Sequence, residues 1–290
     1  AHAASYAQVA WRSAWCKTHY PAEFFAAVLA NWGGYYSQRV YLNEARRMKL
    51  DVRPPDVNHS RAEFSVAYLE SGAALFMGLD QVKDLSQRTI AAIRRGRPYT
   101  SLADFLARVD PRPKEAEALA ACGALNCFGG EAQVLAALRG GRWKAGQMSL
   151  FGWQADEPEE EWSLEQRAAA QQEILGASLV AHPLELVLGK LAGRALCTSL
   201  EAAGKIGQRV SVAGVRQTSH RARTARGETI LFLTLEDLEG ALDVIIFPDL
   251  YRRVRLFVFE PLPIVVSGVV ERDPERGEPV LRAERVERVG

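Results

Sequence analysis

Near the middle of the chain stands Gln147-Met148-Ser149-Leu150-Phe151, a glutamine followed after two residues by two adjacent apolar side chains. The glutamine amide can hydrogen-bond at the rim of a pocket, while Leu150 and Phe151 are anchors with nothing local to bury them. An apolar pair on a tether is suited to docking an extended peptide in a preformed groove. Folding of Leu150, Phe151 and Trp153 back onto a domain is the alternative, since so short a string also arises by chance. Position favours docking, because the string lies between two differently patterned regions, beside the acidic tract Asp156, Glu157, Glu159, Glu160 and Glu161.

Two groups of cations suit a polyanion. Lys83, Arg88, Arg94, Arg95 and Arg97 surround a turn between short helices, and His220, Arg221, Arg223 and Arg226 fill a segment without acids. Helix-hairpin-helix units hold phosphate through backbone amides at a helix N-terminus, usually in a turn that contains glycine. The turn Lys83-Asp84-Leu85-Ser86 has no glycine, and Asp84 repels phosphate, whereas a second turn, Cys122-Gly123-Ala124, has one. Sequence-independent duplex contact is the functional reading of this module, and a purely structural helical cluster the other.

Nucleotidyl transfer by two metals needs clustered carboxylates, and no Asp-x-Asp pair occurs. There is no Walker A loop and no G-x-S-x-G elbow. The five histidines (His2, His19, His59, His182, His220) and four cysteines (Cys16, Cys122, Cys127, Cys197) have no metal-ligand spacing. Catalytic and metal-binding residues are therefore expected to be absent from this chain. No apolar run reaches the length of a membrane span. The net charge of +1 conceals a basic front, 19 Lys/Arg against 13 Asp/Glu in 1–150, and an acidic middle, 4 against 9 in 151–206.

The elements that must position these residues follow from pattern. An Ala-rich helix is expected over 2–18, carrying Val9, Trp11 and Trp15 at helical spacing, and Pro21 opens a second. A third runs from Gln38 to Leu50, before Pro54-Pro55 forces extended chain. Two apolar runs, 64–69 and 74–79, precede short helices capped by Ser86 and Ser101 and one that ends at Gly123. Ser163 and Gln166 form a capping box. From Gly207 the period becomes two, with strands expected over 209–217, 229–236, 242–247, 264–270 and 279–286 and a helical patch over 249–255. Three strands, a helix and two strands is the order of an OB-fold, with a β-sandwich as the alternative. The segment 218–227 then becomes a loop at the barrel mouth, suited to single strands. Phe232 and Phe247 are read first as core residues, although alternation with Ile230 and Thr234 leaves Phe232 open to either face.

The fold class is thus multi-domain α+β: a helical region with a helix-hairpin-helix-like module, followed by a small all-β OB-fold barrel. Expected domains are 1–32, the end of a larger helical domain; 33–139, the helix-hairpin-helix module; 140–206, a linker; and 207–290, the barrel.

The strings His2 to Ala7, Trp15 to Phe24, Glu44 to Met48, Pro54 to Asn58, Tyr99 to Phe105, Cys122 to Leu125 and Ala181 to Leu184 occur in one order along the chain. Together they resemble the carboxyl-terminal portion of C-family DNA polymerases, the bacterial polymerase III alpha subunit and its error-prone relatives. The resemblance implies that 1–32 ends a fingers domain and that Gln147 to Phe151 is a peptide for the sliding clamp. It further implies that Lys83, Arg88, Arg94 and Arg95 meet duplex DNA, while His220, Arg221, Arg223, Arg226 and Phe232 meet a single strand. The implied partners are DNA, the clamp, the catalytic part of the polymerase and other holoenzyme subunits in the cytoplasm. The palm, with its magnesium, is expected outside this chain. A stand-alone single-strand binding accessory protein and an inert remnant of a split polymerase are the rival readings.

Overall fold

The computed structural model describes residues 2–31, 34, 36–140, 160–224, 227–274 and 276–289, which form two compact units, Ala1–Val180 and Ala181–Gly290. In the first, α1 (His2–His19), α2 (Pro21–Ala30) and α3 (Gln38–Arg47) lead to a sheet of β1 (Asp51–Arg53), β2 (Ser65–Leu69) and β3 (Gly72–Phe76). There follow α4 (Gln87–Gly96), α5 (Leu102–Val109), α6 (Pro113–Ala121), α7 (Glu131–Arg139) and α8 (Leu164–Leu175).

Local chemistry sets the helix ends. Pro21 occupies the first turn of α2, where its missing N–H costs no hydrogen bond. Ser86 and Ser101 accept from the Thr89 and Asp104 amides, and Ser163 and Gln166 close the expected capping box. Helix α3 stops three residues short of the expected Leu50, where Lys49 turns left-handed at φ 61°.

The small sheet adds to the helical reading. Strand β3 pairs parallel with β1 and antiparallel with β2. At three residues, β1 is too short to show a period, and β2 and β3 are the two apolar runs. Phe25, Leu29, Leu42, Leu75, Met77, Ile93, Phe105, Leu119 and Leu125 make one core beneath sheet and helices. Helix α1 contributes no buried residue: Val9 is 60%, Trp11 67% and Trp15 44% exposed.

Helix α8, placed in the linker by its sequence, belongs to the first unit. Its Gln171 amide donates to the Cys122 carbonyl at 3.2 Å and accepts from the Leu179 amide at 2.7 Å. The second unit begins 26 residues ahead of Gly207, with α9 (Leu188–Leu191) and α10 (Ser199–Ala203) preceding the barrel. Strands β4 (Arg209–Arg223), β5 (Thr229–Glu236), β6 (Ala241–Ile246), β7 (Ile264–Arg272) and β8 (Pro279–Arg288) close in the order β4-β5-β6-β8-β7, with α11 (Pro248–Val254) between β6 and β7. This is the OB-fold order, filled by Val212, Leu231, Leu233, Leu235, Val244, Ile246, Val266 and Leu281.

Closure depends on Gly268, beside the register shift between β7 and β8. A Cβ there would overlap the Arg282 carbonyl. Gly268→Ala is expected to cost about 1–3 kcal/mol, the usual range for overpacking, read as a lower urea midpoint for the barrel unit.

Candidate nucleic-acid interface

Strand β4 does not end where the sequence reading placed a loop. It continues to Arg223, so Thr218 to Arg223 pair with β5 instead of forming a loop. A register shift between Arg216 and Thr218 marks a bulge, beyond which the strand carries on in pairing with β5. The segment's cations interrupt its apolar pattern, which is why it read as a loop.

This extension sends alternate side chains to opposite faces. Arg221 turns to Phe259, its guanidinium 4.7 Å from the ring centroid, with Arg216 at 5.7 Å from the same ring. It is thus engaged with an aromatic ring on its own barrel. Arg223 is exposed at the strand end, opposite Thr229. Arg226 lies outside the described residues.

His220 takes the other face. It stands directly opposite Phe232, the rings 4.9 Å apart and 5° from parallel. Phe232 is half-buried, while its neighbours Leu231 and Leu233 fill the core, which overturns the core expectation for this ring. Phe247, the other ring expected in the core, is 43% exposed at the start of α11.

The register extends the row: Phe232 opposes Ile245 on β6, and Ile245 opposes Arg282 on β8. Ile245 and Arg282 escaped the sequence reading because only strand pairing places them beside Phe232. An aromatic pair and an aliphatic side chain make a flat, dry platform for a base. Arg282 comes next in the row, but its guanidinium donates to Glu271 at 2.6 Å.

The outer face of β7 and β8 differs. Arg194 pairs with Glu287 at 2.7 Å and Arg209 with Glu284 at 2.8 Å, and Arg285 also meets Glu287. Cations neutralised in this way have little left for phosphate, so the two faces are chemically distinct.

In the helical unit, the first hairpin joins the turn Leu79–Gln81 to α4. Asp84 supplies the left-handed residue at φ 61°, so the turn persists without glycine. Aspartate is among the few L-residues that visit this region readily. Lys83 is exposed, and its backbone N–H donates to the Ile174 carbonyl at 3.1 Å. Arg88 reaches Asp110 at 3.4 Å. Arg94 and Arg95 are exposed at the far end of α4, whereas half-buried Arg97 donates to the Val57 carbonyl at 2.6 Å. Burial pulls the pKa of Arg97 down.

The carboxylate of Glu115, on α6, is only 3% exposed and accepts from the Ser86 and Arg112 amides and the Thr89 hydroxyl at 2.8–2.9 Å. Burial alone would raise its pKa, but these donors outweigh burial and hold it at about 2. The second hairpin turns at Gly123, at φ 89°, and Asn126 donates to Glu131 at 2.9 Å. Burial pushes the Cys122 thiol up to about 12 and that of Cys127 to about 11. Gln147 to Phe151 lie outside the described residues.

A family profile described as a helix-hairpin-helix motif matches residues 49–135, from β1 to within α7. The DNA polymerase III subunit alpha of Vibrio cholerae is 30% identical over all of this chain and 27% of its own length. That of Thermus aquaticus is 32% identical over 94% of the chain and 24% of its own length. The chain belongs to the DNA polymerase III alpha family and corresponds to its carboxyl-terminal part. The error-prone DNA polymerase of Pseudomonas aeruginosa is equally similar, 32% identical over 94% of the chain and 27% of its own length. The chain thus spans about a quarter of the length of the curated relatives it matches. No described helix is long and apolar enough to cross a membrane.

Proposed function

We propose that this chain is the DNA- and clamp-tethering part of a bacterial polymerase III alpha subunit, replicative or error-prone. The helical unit meets duplex, the barrel meets single-stranded template, and Gln147 to Phe151 engage the sliding clamp. Synthesis, with its magnesium, is assigned to the portion of the relatives that this chain does not match. The observation that carries the reading is the outward His220–Phe232 stack, continued by Ile245, on an OB-fold barrel. A ring pair on the outer face does nothing for the barrel core, and every base offers a π-face to it.

Base–aromatic stacking contributes about 1–3 kcal/mol per base. Phe232→Ala is therefore expected to weaken binding of a labelled oligothymidylate roughly 10-fold, within the 5- to 150-fold that range allows. Fluorescence anisotropy at two salt concentrations checks it, and affinity should also fall as salt rises. Equal affinity of the variant and the unaltered chain would remove the platform from the account.

The rival of a stand-alone accessory protein is disfavoured by α1, whose Tyr6, Val9, Trp11 and Trp15 are all exposed. This helix, exposed on every side, is read as the element offered to the catalytic part of the polymerase.

A further inference from the structure

The first hairpin presents the geometry of a phosphate site, yet the site is filled from inside. The Ser86 amide, at the start of α4, donates to Glu115 at 2.9 Å, and the Thr89 hydroxyl adds a second bond to the same carboxylate. The Thr89 amide is taken by the Ser86 hydroxyl. A carboxylate therefore stands where a backbone phosphate would be held, and an anion approaching from solvent meets a like charge. Around the hairpin, Lys83, Arg88 and Arg112 face three acids: Asp84 in the turn, Asp110 against Arg88, and Glu115. The local balance is even.

At the other end of α4 the balance is positive. Arg94 and Arg95 are exposed, and neither has an acidic partner among the described residues. Beside them, Arg97 holds the Val57 carbonyl, and Arg108 donates to the Gly96 carbonyl while pairing with Asp104 at 3.0 Å. Asp56 faces Arg97 electrostatically. Four cations against two acids leave a surplus of two.

We infer that the first hairpin is a structural joint closed to DNA by Glu115, and that the helical unit meets the duplex backbone through the Arg94–Arg95 end of α4. This deepens the reading of the helical unit as a duplex-binding module and rests on it. The division matters for how DNA lies on the surface, because the two ends of a ten-residue helix are about 15 Å apart.

Two double variants of the full chain, both confined to exposed side chains, separate the ends. Arg94→Ala/Arg95→Ala is expected to weaken binding to a short blunt duplex about 10-fold. It should also flatten the log–log salt dependence by about 2, roughly one unit for each phosphate that is no longer neutralised. Lys83→Ala/Arg88→Ala is expected to bind within about twofold of the unaltered chain, the change expected when every phosphate keeps its cation. If the Lys83/Arg88 variant weakens as much as the other, or more, the hairpin is open and the inference falls, although duplex binding stands. Unchanged affinity in both variants also overturns it. Failure of the unaltered chain to bind duplex at all would instead remove the duplex reading itself.

Discussion

Replacing Glu115 by alanine is expected to destabilise the helical unit by roughly 2–3 kcal/mol at neutral pH, a large fraction of a domain's stability. Ser86, Arg112 and Thr89 would each lose the acceptor that now holds them, in a place water does not easily reach. The ionised carboxylate gains twice. It takes orphan amides at the N-termini of two helices, α4 and α6, and it lies at the positive ends of both macrodipoles. Its pKa, lowered from 4.5 to about 2, gives the same magnitude by linkage. At about 1.4 kcal/mol per unit the gap is worth ~3 kcal/mol, less some solvent screening.

The sign follows from the direction of that shift. A carboxyl with a depressed folded-state pKa adds stability that is fully present above the unfolded value of 4.5 and is lost as pH falls toward about 2. Urea unfolding of the unaltered chain and Glu115→Gln should therefore differ most at pH 6, by roughly half as much near pH 3, and converge only below about pH 2. A gap that stayed constant across this range would show that the carboxylate's charge is not what joins the helices.

The contrast between Glu115 and its surroundings explains which parts of the molecule were legible in the sequence. Helix caps are local, so Ser86, Ser101 and Ser163 declared themselves by position alone. The order of barrel strands was equally readable, because a buried face enforces alternation over each strand. Glu115 looked like one of several acids in a helix, because its partners Ser86 and Thr89 lie 29 and 26 residues away. Asp237 behaves similarly. It closes a turn by accepting from the Glu239 and Gly240 amides, and it also accepts from Ser199, 38 residues upstream.

The same limit governs the binding surfaces. His220 and Phe232 become a stack only through strand register, and a single residue of slip would send Phe232 into the core. Trp11 and Trp15 sit at helical spacing, which fixes a helix without saying whether its face is covered. The first hairpin looked broken without glycine, yet Asp84 takes the left-handed conformation itself. Residue type sets what backbone is allowed, and only the surrounding packing decides what is used.

The second large effect is expected from the peptide Gln147 to Phe151, which in the proposed reading fixes the chain to the sliding clamp. Gln147→Ala/Leu150→Ala/Phe151→Ala should abolish measurable binding to the isolated clamp by calorimetry. In a peptide–groove complex a few apolar anchors carry most of the free energy, at about 2 kcal/mol or more for each. Removing two anchors and a rim hydrogen bond, worth about 1 kcal/mol, costs more than ~5 kcal/mol in total. A micromolar complex, at about 8 kcal/mol, would then bind too weakly to detect. On DNA carrying a clamp the loss should be amplified, because peptide and DNA contacts joined in one chain raise each other's effective concentration, and avidity can exceed single-site affinity 10²–10⁴-fold. Such coupling predicts that the triple variant keeps the single-strand affinity of the barrel on free oligonucleotides and loses only the gain conferred by the clamp. If the variant instead kept that gain, the tether would have to lie in another part of the chain, and the apolar pair Leu150 and Phe151 would have no bearing on clamp attachment.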